Sequence, residues 1–211
     1  MIPKDQEKII SLYESRLDQY ADSAKTVGWG SREDQFLRFA TLCRGLELKG
    51  KRVLDIGCGL GDFVSFADQH TGGDYDYVGV DIAEKLISRA KNKFPSDRRT
   101  FLCGDFQNIK FNQKFDLVVL SGALSVRITD NINLAHQTLT KMAALAEEAA
   151  AANFLSTHVD YQLEKDFHFD PGAILNFAKS LSRWVRIYHD YPLYEFTVQI
   201  LSAPHKSDRQ R

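Results

Sequence analysis

Residues 53–63 read VLDIGCGLGDF, and this stretch decides the fold. Val53 and Leu54 open an apolar strand, Asp55 follows, and Gly57, Gly59 and Gly61 then stand at alternate positions. Glycine carries no Cβ and tolerates positive φ, so the backbone here can turn sharply and lie against a bound molecule. A strand, a glycine turn and a helix in succession form the entrance of a nucleotide-type pocket.

Spacing narrows the ligand. A dinucleotide fingerprint is G-x-G-x-x-G, its third glycine packing the helix onto the strand. Here the pattern is G-x-G-x-G, with Asp62 and Phe63 next and an acid two positions before the first glycine. A carboxylate beside a pyrophosphate repels it. Beside an ammonium or a sulfonium it attracts, by roughly 1–4 kcal/mol at contact distance outside the deep interior. The pattern disfavours a nicotinamide dinucleotide and favours a cationic adenosine cofactor.

Strands and helices alternate on the carboxyl side of this motif. RVLDI is a strand and DFVSFADQH a helix; YDYVGVDI is a strand, and EKLISRAKNKF a helix closed by Pro95. RTFLCGD and the strongly apolar KFDLVVLSG are strands, and the alanine-rich stretch from about Asn131 to Ala150 reads as one long helix. ANFLSTHV is a strand. Asp170 caps a helix with Pro171 at its first position, running to about Arg183. WVRIYHDY and YEFTVQIL finish as two strands joined through Pro192. Strands separated by helices imply a parallel sheet, and the short final connection implies an antiparallel pair. Before the motif, residues 4 to about 22 carry apolar residues at helical spacing. Ser31 is a suitable N-cap for a second helix through about Arg44.

The glycine segment resembles motif I of the class I S-adenosylmethionine-dependent methyltransferases, and the resemblance covers about residues 48–201. It implies an α/β, doubly wound, seven-stranded and mostly parallel sheet of order 3-2-1-4-5-7-6, the last inserted strand antiparallel, with an N-terminal helical lid. It also implies S-adenosyl-L-methionine as cofactor. Residue by residue, it assigns the ribose hydroxyls to Asp81 at the end of YVGVDI, with Ile82 against the adenine. It assigns the adenine amine to Asp105 and a backbone donor to Phe106. Asp55 orients the glycine loop through backbone amides; Gly57, Cys58, Gly59 and Gly61 form that loop; Ser121 and Gly122 flank the methionine moiety and the acceptor. Gln35 and Arg38, on the helix before the motif, are candidate donors to the methionine carboxylate.

The 211 residues suit one domain: a helical cover over 1–47, a Rossmann-like core over 48–201 and a tail over 202–211. A formal net charge of −1 lacks the basic excess of a nucleic-acid binder, and the basic HKSDRQR tail is too short to reverse that. Cys43, Cys58 and Cys103 have no metal-like spacing and read as reduced thiols, so no metal is expected. No leader h-region or membrane-length apolar run is present, and the expectation is a cytoplasmic enzyme.

Methyl transfer to an amine or thiolate needs alignment and water exclusion, whereas a hydroxyl acceptor needs a base or a metal. The fourth strand ends SGALS, unlike the Asn/Asp-Pro-Pro-aromatic tetrapeptide of the amino-methylating relatives. Two polar-aromatic clusters remain, at 157–170 and 188–196; they nominate His158 or His189 as general base and Tyr161 as a pocket wall. Gly28 and Gly30 flank Trp29, so the amino-terminal segment reads as a hinged cover. The expected function is methyl transfer to a small-molecule acceptor at oxygen or nitrogen. The alternatives are a protein or RNA methyltransferase, a binding protein without turnover, and transfer of another group such as aminopropyl from the same cofactor. The sequence leaves the oligomeric state open.

Overall fold

In a computed structural model, which describes residues 1–204, residues 53–56 lie on an interior strand of the sheet. The strands are β1 (Arg52–Ile56), β2 (Asp76–Asp81), β3 (Arg99–Cys103), β4 (Phe115–Leu120), β5 (Ala146–Leu155), β6 (Trp184–Tyr188) and β7 (Glu195–Leu201). The helices are α1 (Pro3–Tyr20), α2 (Arg32–Leu42), α3 (Asp62–Thr71), α4 (Glu84–Lys93), α5 (Asn131–Leu145) and α6 (Pro171–Leu181). The seven strands lie in the order β3-β2-β1-β4-β5-β7-β6. β1 to β5 pair in parallel, while β7 runs antiparallel between β5 and β6. The tail residues 205–211 lie outside the described residues.

Alternation along the strands fills a core on each face, because successive side chains point to opposite sides. Leu54, Val118, Ala150 and Phe154 pack with Leu139 of α5 and Ile174 of α6 on one face. Val53, Leu117, Val119 and Ala151 pack with Leu42 of α2, Phe63 and Phe66 of α3 and Ile87 of α4 on the other. A smaller cluster joins Leu17 of α1 to Leu60, Ala83 and Leu86, with Tyr13 and Val27 against it. Ser31 caps α2 by accepting from the Asp34 amide at 3.0 Å, as its position in the sequence suggests.

The alanine-rich stretch departs from its sequence reading. The helix stops at Leu145, and Ala146–Leu155 is strand. Alanine has the highest helix propensity, but the advantage is only tenths of a kcal/mol per residue. Here Ala149, Ala150, Ala151 and Ala152 are paired on both sides, with β4 and with β7. All four are buried, and their small side chains let helices approach both faces. The same shift ends the strand at Leu155, so His158 lies in the turn beyond it; β6 ends at Tyr188, so His189 lies beyond that strand too.

Candidate functional site

The carboxyl ends of β1, β2 and β4 and the start of the loop after β3 surround a cavity with about 1060 Å³ of space between protein atoms, part of it open to solvent. Its floor is the glycine loop. Gly57 and Gly59 have φ of +69° and +53°. A Cβ at Gly57 would collide with Ala123, and one at Gly59 would come 2.8 Å from a Val27 methyl, so both positions require glycine for space as well as conformation. The Gly57 and Cys58 amides donate to the Val80 carbonyl at 2.8 and 3.0 Å, which pins the loop to β2.

Four carboxylates line this cavity: Asp55, Asp62, Asp81 and Asp105. No lysine, arginine or histidine is among the described residues that line it. Asp81, at the end of β2, accepts from the Gly59 amide and from the Ala83 amide, each at 2.9 Å. Asp55 accepts from the Tyr77 hydroxyl at 2.8 Å. Asp105 accepts from the Gln107 amide at 2.9 Å and from the Gln6 side chain of α1 at 2.8 Å. Ile82, Phe106 and Leu134 supply apolar wall, and Ser121 and Gly122 close the end beside β4. An anionic pyrophosphate would be repelled from such a lining; a cation is attracted.

A family model described as a methyltransferase domain matches residues 53–148. A methyltransferase-named protein of Mycobacterium tuberculosis is 29% identical over 159 residues, which span 72% of this chain and 93% of that one. The malonyl-[acyl-carrier protein] O-methyltransferase of Acetivibrio thermocellus is 29% identical over 153 residues, 67% of this chain but 53% of that protein. Among solved structures, the magnesium protoporphyrin IX methyltransferase of Synechocystis with S-adenosylmethionine bound superposes with a TM-score of 0.68 at 18% identity, covering 94% of this chain and 97% of that one. Residues 53–148 are a methyltransferase domain, and the fold is the class I Rossmann-like fold of S-adenosylmethionine-dependent methyltransferases.

The cavity of this methyltransferase fits its cofactor. The glycine loop offers a side-chain-free cradle, the acids match an ammonium and a sulfonium, and Ile82 and Phe106 offer apolar faces to a base. Burial raises the Asp81 carboxyl, opposed by the amides of Ala83 and Gly59. Burial also pushes Asp55 up to about 7; the Tyr77 hydroxyl opposes this, and Asp81 and Asp62 add to it. The Cys58 thiol, buried in the loop, is raised as well and stays protonated.

Several sequence expectations need correction. No backbone amide of the glycine loop donates to Asp55 among the described residues; Asp81 holds the loop, and Asp55 holds Tyr77. Gln35 does line the cavity, but its amide nitrogen donates to Asp62 at 3.2 Å. Arg38 does not line it. Its guanidinium is buried, forms an ion pair with Glu195 of β7 and lies 3.3 Å over the Trp29 ring, which separates it from the cofactor cavity. One of its terminal nitrogens, Nη1, has no partner.

The catalytic candidates stand elsewhere too. His158 and His189 approach each other, with ring centroids 5.9 Å apart, and neither lines the cavity. Tyr161 is 63% exposed and packs on Tyr194. The two strands that were to carry the histidines end before them, and the three residues lie in the segments that follow the carboxyl ends of β5 and β6, outside the lining of the cofactor cavity.

Other residues at the site escaped the sequence reading. Asn153 of β5 is buried and accepts from the Gly122 amide at 2.8 Å, which fixes the turn after β4. A polar residue inside the apolar run AANFL was the available signal. Lys141 of α5 donates to the Gln107 and Ile109 carbonyls at 3.1 and 2.7 Å and so anchors the loop that carries Asp105. Tyr77, within the strand YDYVGVDI, gives no local sign of its bond to Asp55. Tyr13 and Trp29, read only as cover, are walls of the cavity itself.

Proposed function

We propose that this methyltransferase transfers its methyl group to a small organic acceptor, at oxygen or nitrogen, by in-line displacement. S-adenosylmethionine supplies an electrophilic methyl on a cationic sulfur. Asp81 accepts the ribose hydroxyls, Ile82 covers the adenine, and Asp105 with the Phe106 backbone matches the adenine amine and a ring nitrogen. Asp55, Gly57, Cys58, Gly59 and Gly61 receive the amino-acid end, with Gln35 as donor to its carboxylate and Ser121 beside the methyl. Residues 1–47 act as cover and 48–201 as the catalytic core of one domain.

The observation that carries this reading is the roof. α1 and the Trp29 segment lie over the carboxyl end of the sheet: Gln6 reaches Asp105, Asp5 accepts from the Thr129 amide at 3.2 Å, and Tyr13 and Trp29 enter the cavity. A roofed site excludes water and admits a small acceptor more readily than a folded polymer. No histidine or lysine is among the described residues of the lining, so any proton taken from the acceptor goes to a carboxylate there, and an acceptor that arrives already deprotonated needs none.

Calorimetry with S-adenosylhomocysteine tests the cofactor assignment. Asp81→Ala should weaken binding by about 10–100-fold, the loss expected for charge-assisted hydrogen bonds to two hydroxyls. Unchanged affinity in a folded variant would overturn the ribose assignment. Incubation with labelled cofactor and a metabolite extract tests the acceptor class: label in small molecules supports it, and label found only in protein or RNA removes it.

A further inference from the structure

A second cleft, with about 1340 Å³ of space between protein atoms, adjoins the cofactor cavity. The two share Tyr13, Val27 and Trp29 as a common wall. Their linings have opposite charge. Lys8, Arg16 and Lys165 line the second cleft against one carboxylate, Asp166. Leu12, Val126 and Leu155 give it an apolar side.

The fold fixes the backbone that carries these cations. The Arg127 amide donates to the Lys165 carbonyl at 3.0 Å, and the Phe167 amide donates to the Ser125 carbonyl at 2.8 Å, so the segment carrying Lys165 is stitched to the loop after β4. The Arg127 guanidinium adds bonds to the Glu164 and Asp166 carbonyls at 2.7 and 2.8 Å. Lys8 donates to the Arg127 carbonyl at 2.7 Å, which leaves two of its three N–H groups for another acceptor. Arg16 sits 5.5 Å over the Tyr13 ring, and its Nη1 would lie 3.0 Å from a Cβ at Gly28. Glycine at that position makes room for the guanidinium. Among the described residues, neither Arg16 nor Lys165 forms an ion pair within 4.0 Å.

We propose that the second cleft holds the anionic head of the methyl acceptor, a small amphiphile bearing one carboxylate or phosphate, through Arg16 and Lys165 with Lys8 beside them. This rests on the small-acceptor reading above. An acidic cavity and a basic cleft on two sides of one wall suit a cationic methyl donor and an anionic acceptor. The charges steer each molecule to its own side, and Tyr13 and Trp29 form the boundary past which the acceptor's nucleophilic atom has to reach to touch the methyl. A carboxylate or phosphate takes paired N–H groups from arginine, and the apolar body of the acceptor covers Leu12, Val126 and Leu155.

Direct titration tests this without knowledge of the natural acceptor. The full chain, saturated with S-adenosylhomocysteine, is titrated by calorimetry with octanoate, octyl phosphate and the uncharged 1-octanol. Both anions, or one of them, should bind at least about tenfold more tightly than the alcohol, and the gap should shrink as salt is added. Which anion binds distinguishes a carboxylate from a phosphate acceptor. The double variant Arg16→Gln, Lys165→Gln should lose that tenfold preference while its affinity for S-adenosylhomocysteine stays within about twofold. The single variant Lys165→Gln, at an exposed position, serves if the double variant does not fold. Equal binding of alcohol and anions, no binding of any probe at millimolar concentration, or anion affinity untouched by the substitutions overturns the proposal. Label found only in protein or RNA overturns the small-acceptor reading instead, so the two failures are distinguishable.

Discussion

Asp55 shows how much one buried side chain can decide. In the unfolded chain its carboxyl titrates near 3.8; burial in the fold lifts it to about 7. Across that window the folded protein keeps a proton that the unfolded chain has released, so stability falls as pH rises. The contribution is fully present below the unfolded value, is lost by the folded value and is flat above it. Asp55→Asn has no such titration. The stability of this variant relative to the parent should therefore rise between about pH 5 and pH 8, by roughly 2–3 kcal/mol if the full shift is realised. Denaturant midpoints at the two pH values measure this, and a pH-independent difference would count against it. The bond from Tyr77 explains why an acid is tolerated there: it gives the buried oxygen a partner. Nothing in the local sequence around Asp55 announces Tyr77, which lies on the neighbouring strand.

At the scale of elements, the amino-terminal cover is fastened to the far end of the sheet. Arg38 of α2 pairs with Glu195 of β7, and Gln199 of β7 donates to the Leu42 carbonyl at the end of α2 at 2.8 Å. Burial pushes the Glu195 carboxyl up, and the Arg38 guanidinium pulls it back. Both side chains are nearly inaccessible, 7% and 3% exposed, so removing one partner leaves a desolvated charge. Glu195→Gln should cost about 3–5 kcal/mol in chemical denaturation, whereas the double replacement Arg38→Met, Glu195→Leu should cost far less. Equal losses would mean that the pair acts through packing alone. Trp29 belongs to the same assembly: its indole lies between Arg38 and Gly122, where a Cβ would collide with the ring. The segment read as a hinge is, in this conformation, a packed wall.

For the molecule as a whole, the two cores on the sheet faces are extensive, and the third cluster under α1 is small. α1 presents Ile9 and Leu17 inward, and polar bonds to Asp105, Thr129 and Arg127 do much of the rest. An element held that way opens more readily than a central strand. Hydrogen exchange followed by mass spectrometry should find α1 amides exchanging at least about tenfold faster than those of β4 in the free protein, and slowed by S-adenosylhomocysteine. Protection of α1 equal to that of β4 without ligand would show a permanent roof and not a cover that moves.

The sequence alone determined the alternation of strands and helices, a mostly parallel sheet with an antiparallel pair at its end, and the glycine loop with its acids; the order of the strands came from the family resemblance the loop carries. All but that order is written in local patterns: strand alternation, helix spacing, and glycines at turns within a few residues of one another. What it misread was decided by partners far along the chain. The alanines of β5 became strand because β4 and β7 offered backbone bonds on both sides, against their own helical preference. Arg38 left the cofactor because Glu195, 157 positions away, claimed its charge, and Gln6 met Asp105 across 99 positions. The basic cleft, too, exists only because α1 and the segment around Lys165 meet beside β5. Burial and charge pairing depend on which side chains fold against one another, and that is a property of the tertiary structure.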